Sequence, residues 1–454
     1  MVGCAIAHLL LQNKYFYSVF SAKHQTSLAK SPSYTYRRHT RVTTSSICTL
    51  FITKEVPYPP VGGVNLRTWQ NINIMMKFGP VGVFSASNWS PKNTSLPGVT
   101  FWKHANVAIQ RTNWEKLENR LWWLHPRRHP DADWAYAKAA AEELDETLTQ
   151  FQPHLVIIEE VWLYSYVSVV KRHKCQIIFD NINVEASLWQ QRYSSVRSFK
   201  SQLKAKIQLE HLKSIESDFA KQASQVWVCS ENDSNLITQY YGQVSPTHVV
   251  PNGINVAHYD SVHSGECKPE AGLEDTQRNL LFLGQLSYSP NTVAVELLIN
   301  QIYPRLRELY PDSRLLLVGR NPTQFMQAAA KREPGIIVTG SVADVRPYLA
   351  AASVMVVPLL QGGGTRLKIL EAFAAGCPVV STAKGVEGIK AKNGEHLLIR
   401  NEVEELVEGV SQLWSNPSLG EKLASSAYEL VQAEYSWEAV SRKIDLAIQK
   451  LLAE

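Results

Sequence analysis

The residues best suited to chemistry stand together in Val354-Met-Val-Val-Pro-Leu-Leu-Gln-Gly-Gly-Gly-Thr-Arg-Leu-Lys-Ile-Leu-Glu-Ala-Phe-Ala-Ala-Gly376. The run Val354–Val357 reads as a buried strand ending at Pro358. Three glycines follow, Gly362, Gly363 and Gly364, and a helix is expected from near Thr365. Glycine lets backbone N–H groups approach an anion closely, and a helix N-terminus adds free donors and about half a unit of positive charge. Arg366 and Lys368 add two full charges to the first turn, where the helix dipole alone disfavours them. A bound phosphate removes that penalty. Glu371 lies six residues past Thr365, or about 9 Å along a helix. One helix could therefore hold a diphosphate at its tip and ribose hydroxyls further along. The plainer alternative is an ordinary strand-to-helix turn with a solvated Glu371.

Short β-branched runs alternate with segments of helical period on both sides of this stretch. Candidate strands in the first half are Cys48–Thr53, Val81–Phe84, Leu155–Ile158, Ile177–Phe179, Val226–Cys229 and His248–Val250. After the turn Val250-Pro-Asn-Gly-Ile254 the rhythm restarts with Asn279–Leu283, Leu315–Val318, Ile336–Val338, Val354–Val357, Pro378–Ser381 and His396–Ile399. Uniformly apolar strands between helices are covered on both faces, which is the mark of parallel α/β sheets. The pattern predicts two doubly wound, Rossmann-like domains facing a central cleft, with ligands at the carboxyl ends of the strands. A helix after Gly62-Gly63 is expected to bury Leu66, Trp69, Ile72 and Met76. The expected partition is an N-terminal extension (1–46), a first domain (47–252), a second domain (253–434) and a closing helix (435–454). That helix carries Trp437, Val440, Ile444, Ile448 and Leu451 on one face and is expected to pack back on the first domain.

Composition narrows the function classes. Of 454 residues, 45% are apolar and 19% charged, which excludes collagenous, disulfide-framework and wholly disordered chains. No apolar run approaches the roughly 18 residues of a spanning helix, so a soluble, cytoplasmic protein is expected. The net charge of +5 is local: residues 1–54 hold seven Lys or Arg and no acidic residue. The remainder balances 39 basic against 41 acidic residues, so nothing points to a nucleic-acid partner. The leading stretch resembles an organelle transit peptide, with a disordered arm or too early a start as the alternatives. The six cysteines form no C-x-x-C pair and read as buried thiols in a reducing compartment. Segment 86–134 breaks the rhythm with six of the twelve tryptophans and the cluster His125-Pro-Arg-Arg-His129. Rings filling local core is the plainer expectation. The other is an acceptor contact or a peripheral membrane contact.

With these residues in view, the chain resembles the retaining GT-B glycosyltransferases of family 4, or group 1, in a branch found in bacterial polysaccharide clusters. The resemblance rests on the glycine corner through Glu371, on Glu55-Val-Pro-Tyr-Pro-Pro with Gly62-Gly63, and on Val228-Cys-Ser-Glu-Asn-Asp233. Val250-Pro-Asn-Gly-Ile-Asn255, Gly340-Ser-Val-Ala-Asp344, Tyr435-Ser-Trp-Glu438 and Pro290-Asn-x-x-Ala294 add to it. It implies that Glu371 holds the ribose and that the amides of Gly362, Gly363, Gly364 and Thr365 hold the diphosphate of a nucleotide-sugar co-substrate. Val342 would border the base, and Gly62 and Gly63 would close from the opposite domain. It implies a saccharide, lipid-linked or small-molecule acceptor, retention at the anomeric carbon, and neither metal nor cofactor. Arg366 and Lys368 are then the candidates for carrying leaving-group charge.

Departures from the family pattern stand at four positions. Gly363 replaces a Glu, Gln285 and Asn291 replace an Arg and a Lys, and Ile182 stands where a sugar-contacting His is common. A nucleotide-sugar 2-epimerase or a catalytically silent binding protein on the same fold are therefore the alternatives. Asp131-Ala-Asp133 resembles a metal-binding D-x-D, but Asp in the first turn of a helix explains it. His125 and His129 are interrupted by Pro126 and make a poor metal pair. The G-x-G-x-x-G and G-x-S-x-G motifs are absent.

Overall fold

A computed structural model describes residues 46–88, 95–193, 198–274 and 278–453, all within one compact unit, Ser45–Glu454. The expectations for residues 1–45 and for Trp89 lie outside the described residues. Among the described residues, seven parallel strands form the first sheet in the order β3-β2-β1-β4-β5-β6-β7. They are β1 (Thr49–Thr53), β2 (Val81–Ser87), β3 (Phe101–Asn106), β4 (Leu155–Glu159), β5 (Gln176–Asn181), β6 (Gln225–Val228) and β7 (Thr247–Val249). Six more form a second parallel sheet, β10-β9-β8-β11-β12-β13. These are β8 (Asn279–Leu283), β9 (Arg314–Val318), β10 (Ile336–Gly340), β11 (Val354–Val357), β12 (Val379–Ser381) and β13 (Leu398–Ile399).

β1, β2, β4, β6, β8 and β11 are buried along their whole length. Helices on both faces supply the cover, as the uniformly apolar runs require. Strand order reverses between β1 and β4 in one sheet and between β8 and β11 in the other. Loops leaving the carboxyl ends there diverge and open a crevice.

Two expectations need correction. Segment 86–134 does not leave the sheet: Phe101–Asn106 pairs with β2 as an edge strand, and only Ala105 of it is buried. Its rings do not mainly fill core either. Trp122 is buried, but Trp114, Trp123 and Trp134 are 74%, 54% and 57% exposed. With the helix Gly63–Met75 as α1, they lie on or beside the next two helices, α2 (Asn113–Arg120) and α3 (Pro130–Trp134). Asp131 and Asp133 occupy the first turn of α3, behind Pro130 and the His129 cap.

The second correction is the inward face of α1. Leu66, Trp69 and Met76 are only half-buried, whereas Asn65, Arg67, Thr68, Gln70 and Asn71 are buried alongside Ile72, Ile74 and Met75. A polar network, described below, holds that face. Further helices used here are α4 (Lys138–Phe151), α5 (Glu185–Tyr193), α6 (Phe199–Gln222), α7 (Ser289–Leu297), α8 (Leu367–Ala374) and α9 (Trp437–Ala453).

α9 sends Val440, Ile444, Ile448 and Leu451 into the apolar cluster built on Ile72, Met75, Val83 and Trp227 of the first sheet's layer. Gln225 Nε2 donates to Ala447 O at 2.9 Å, and Ile254 N donates to Tyr435 O at 2.8 Å. The chain thus passes between the sheets twice, and the two crossings are joined by a bridge between Ile254 and Ser436.

Candidate active site

The glycine corner leaves β11 at its carboxyl end, at the switch point of the second sheet. Gly362 and Gly364 have φ of +109° and +74°, conformations that L side chains seldom adopt. A Cβ on Gly363 would stand 2.5 Å from Leu188 of α5, and one on Gly364 2.9 Å from Asn183 Oδ1. The corner therefore meets the first domain at the carboxyl end of β5, and the space between them is lined by Asn183, Ser187, Ser230, Asp233, Lys384 and Glu387.

α8 begins two residues later than the sequence suggests, with Arg366 at its N-cap position. The Arg366 guanidinium turns back and donates to Gly363 O, with a long 3.5 Å contact to Lys384 O. Arg366 is 7% exposed, and its buried Nε has no partner among the described residues. Thr365 Oγ1 is likewise buried and unpaired. A buried donor without an acceptor costs about 1–3 kcal/mol, so these two atoms favour an acceptor at the corner.

Lys368 points from the first turn of α8 toward β8. Its Nζ donates to Asn291 Oδ1 at 2.9 Å and lies 3.9 Å from the centre of the Phe282 ring. Burial, then repulsion from Arg366, lowers its pKa to about 7, and Glu371 opposes the shift. Glu371, one turn further along, is half-buried and accepts from Tyr259 Oη at 3.1 Å. Its pKa is raised by burial against that hydrogen bond and Lys368. Val342 is half-buried in the loop after β10. It follows the outermost strand of the second sheet, three strands from β11, and packs against the second core.

The first domain offers Gly62 and Gly63. A Cβ on Gly62, whose φ is +91°, would stand 3.6 Å from Arg320 Nη2, and one on Gly63 would stand 3.4 Å from Leu367. Both sequence-predicted glycines thus face the second domain's site. Ile182, by contrast, is buried, and its carbonyl accepts from Cys229 Sγ at 3.2 Å.

Two groups of residues escaped the sequence reading. One is Arg320, directly after β9, whose Nη2 donates to Gln285 Oε1 at 3.1 Å. The other is a buried network on the first domain's cleft edge. Arg67 Nε donates to both carboxylate oxygens of Asp180 at 3.1 Å. Its Nη1 reaches Val250 O at 2.6 Å and Asn252 Oδ1 at 3.1 Å. Asn71 also donates to Asp180, at 3.1 Å, and Gln70 Oε1 accepts from Gly253 N at 3.1 Å. Glu159, at the end of β4, is buried beside this pair, and burial holds its pKa well above the usual carboxylate range. α1 is thereby fastened both to β5 and to the crossing at 250–253.

His129 is fully buried among Trp122, Trp162 and Trp189, whose centroids lie 5.0–6.3 Å away. Burial lowers its pKa to about 4. His125 does not join it, and among the described residues no group of three or more His, Cys, Asp or Glu is placed to hold a metal ion.

Residues 277–416 match the sequence family described as glycosyl transferases group 1. That stretch contains the glycine corner, Arg320, Lys368 and Glu371. A phosphatidyl-myo-inositol mannosyltransferase of Mycobacterium leprae is 29% identical over 201 residues, 43% of this chain and 51% of that protein. A 44.6 kDa uncharacterized protein of the Klebsiella pneumoniae cps region is 25% identical over 173 residues, 37% of this chain and 45% of that one. The chain thus spans about half the length of each curated relative. Among solved structures, sucrose-phosphate synthase of Thermosynechococcus elongatus superposes with a TM-score of 0.67 at 18% identity, covering 90% of this chain and 99% of that one. Anabaena HepE, solved with UDP and glucose, gives 0.63 at 13% identity, covering 89% and 100%. The fold is GT-B.

Proposed function

We propose that the protein is a glycosyltransferase that moves a sugar from a nucleoside-diphosphate donor onto a saccharide, lipid-linked or small-molecule acceptor. The observation that carries this reading is the glycine corner. Buried donors on Thr365 and Arg366 lack partners there, Lys368 stands beside them, and a carboxylate follows on the same helix. Diphosphate oxygens would satisfy the donors, and Glu371, with Tyr259 steering it, would accept from ribose hydroxyls. As the bond to the anomeric carbon breaks, negative charge grows on the departing diphosphate. In this reading the glycine amides, Arg366 and Lys368 stabilise it, a role that needs no metal. The acceptor oxygen would take the face the diphosphate leaves, giving retention, with Val342 beside the base and Gly62 and Gly63 closing from the first domain.

Incubation with a panel of nucleotide sugars tests this. Nucleotide release that depends on added acceptor, with an unchanged anomeric configuration in the product, is the expected result. Tight nucleotide binding without turnover on any acceptor would overturn it.

A lipid-linked acceptor is supported by the exposed ridge past β3. Trp114, Leu117 and Leu121 share a helical stripe, with Ile109, Trp123, Leu124 and Trp134 nearby, all at least 39% exposed. Such surface is costly in water and is suited to a membrane interface. Among the described residues no helix is long and apolar enough to cross a membrane. Co-sedimentation with anionic vesicles should be lost in a Trp114→Ser, Trp123→Ser double variant. Wild-type protein that stays in the supernatant would remove the membrane contact and leave the donor site untouched.

A further inference from the structure

At the carboxyl end of the second sheet, two uncharged amide side chains each hold a cation delivered from another element. Gln285, in the loop after β8, accepts from Arg320 at 3.1 Å. Asn291, in the first turn of α7, accepts from Lys368 at 2.9 Å. Asn291 is also tied to the residue that carries the other amide, because its Nδ2 donates to the backbone carbonyl of Gln285 at 2.8 Å. The result is a continuous chain, Arg320–Gln285–Asn291–Lys368, drawn from the loops after β8 and β9 and from helices α7 and α8.

A carboxylate partner would cancel these charges. An amide fixes the position of a cation and leaves its charge whole. None of Arg320, Arg366 and Lys368 forms an ion pair with a carboxylate among the described residues. Gly284, φ +146°, keeps open the ground beside Asn291 and Lys368: a Cβ there would stand 3.0 Å from Asn291 Nδ2 and 3.1 Å from Lys368 Nζ. Arg320 also faces Gly62 across the cleft. The unpartnered Nε of Arg366 independently marks the same region as awaiting an acceptor.

We propose that Arg320, set by Gln285, is a ligand for the donor's diphosphate and grips it jointly with Lys368, set by Asn291. This rests on the glycosyltransferase reading and adds to it a residue from β9's loop. Lys368 reaches the anion from the helix side, over Gly284. Arg320 reaches it from the side nearest Gly62, so the first domain's glycine loop can close over a charge already neutralised. A planar guanidinium suits two oxygens of one phosphoryl group, whereas the ammonium acts as a point charge.

Calorimetric titration of the full chain with UDP, GDP and ADP, and with the parent nucleosides, tests this. Arg320→Gln is expected to weaken binding of the preferred diphosphate by about 10- to 100-fold, to leave nucleoside binding unchanged and to flatten its salt dependence. Arg320→Lys, which keeps the charge and loses the fork, should fall between. Moving the charge back, with Gln285→Arg added to Arg320→Gln, should recover most of the affinity, and so should Asn291→Lys added to Lys368→Asn. Wild-type protein that binds no nucleoside diphosphate would overturn the glycosyltransferase reading itself. Wild-type binding with Arg320→Gln indistinguishable in affinity and salt dependence would overturn only the role of Arg320. Circular dichroism and the retained nucleoside binding separate either result from a folding defect.

Discussion

Apart from Lys384, which pairs with Glu387 in the second domain, the two edges of the cleft match their cations in opposite ways. On the first domain, Arg67 is 1% exposed and closed on the carboxylate of Asp180, and Lys54 pairs with Glu160 at 3.2 Å. On the second, Arg320 and Lys368 are held by amides and Arg366 by a backbone carbonyl. A cation matched by a carboxylate has its field cancelled and serves structure. A cation matched by a neutral acceptor keeps its field for a ligand. Under the proposed reading the contrast puts anion binding on the second domain, while the first domain's edge anchors the crossing between the sheets.

The largest expected effect lies on the structural side. Arg67→Met leaves Asp180 buried and unpaired, and breaking such a pair typically costs about 3–5 kcal/mol. Urea unfolding should show a loss of that order, while nucleotide affinity measured where the variant is folded stays within about twofold of wild type. An unchanged unfolding midpoint would collapse the comparison from the first domain's side.

Glu371→Ala comes next. Loss of a charged acceptor should weaken nucleoside-diphosphate binding by about 1–3 kcal/mol, read by calorimetry, with 2′,3′-dideoxy nucleotide hardly affected. Equal losses for both nucleotides would show that Glu371 supports the fold around Tyr259 and does not grip the ribose.

The third effect is on pH. Burial, and then Arg366, lower the pKa of Lys368 to about 7 by disfavouring its charge. Its ammonium is therefore present below about pH 7 and lost above it, and in the proposed reading the diphosphate pairs with the ammonium. Affinity should fall as pH rises from 7 to 9, by up to tenfold per unit. Glu371 and Arg366 are the charged groups facing Lys368, with Tyr259 behind Glu371 and Asn291 and Phe282 uncharged beside it. Lys368→Gln should remove the slope. A slope that survives the substitution would place the titrating group elsewhere.

The smallest effect is expected at Lys54, 39% exposed on its side chain. Lys54→Met should change stability by less than about 1 kcal/mol and leave donor binding alone. A marked loss of donor binding would show that the first domain also commits a cation to the ligand.

Much of the fold was legible because parallel strands buried on both faces leave unbroken apolar runs, and those runs mark β1, β4, β8 and β11. β3 was not, because an edge strand carrying Trp102, Lys103 and His104 is half-buried and has no such run. The glycine corner was legible because its residues are consecutive. Arg67 was not, since an arginine in a helix reads as surface, and its partner lies 113 residues away. Arg320 carried one usable signal, its place immediately after a strand at the carboxyl end of a parallel sheet. Only the folded chain brings it to Gln285.

The packing of α9 against Trp227 and Ile72 has a consequence for synthesis. Residues that finish the core of the first sheet are translated after the whole second sheet. Until α9 emerges from the ribosome, the part of that face which it covers lies open beside α1. A stalled chain ending before Trp437 should be sensitive to protease across the first sheet, although every strand of that sheet has already been made.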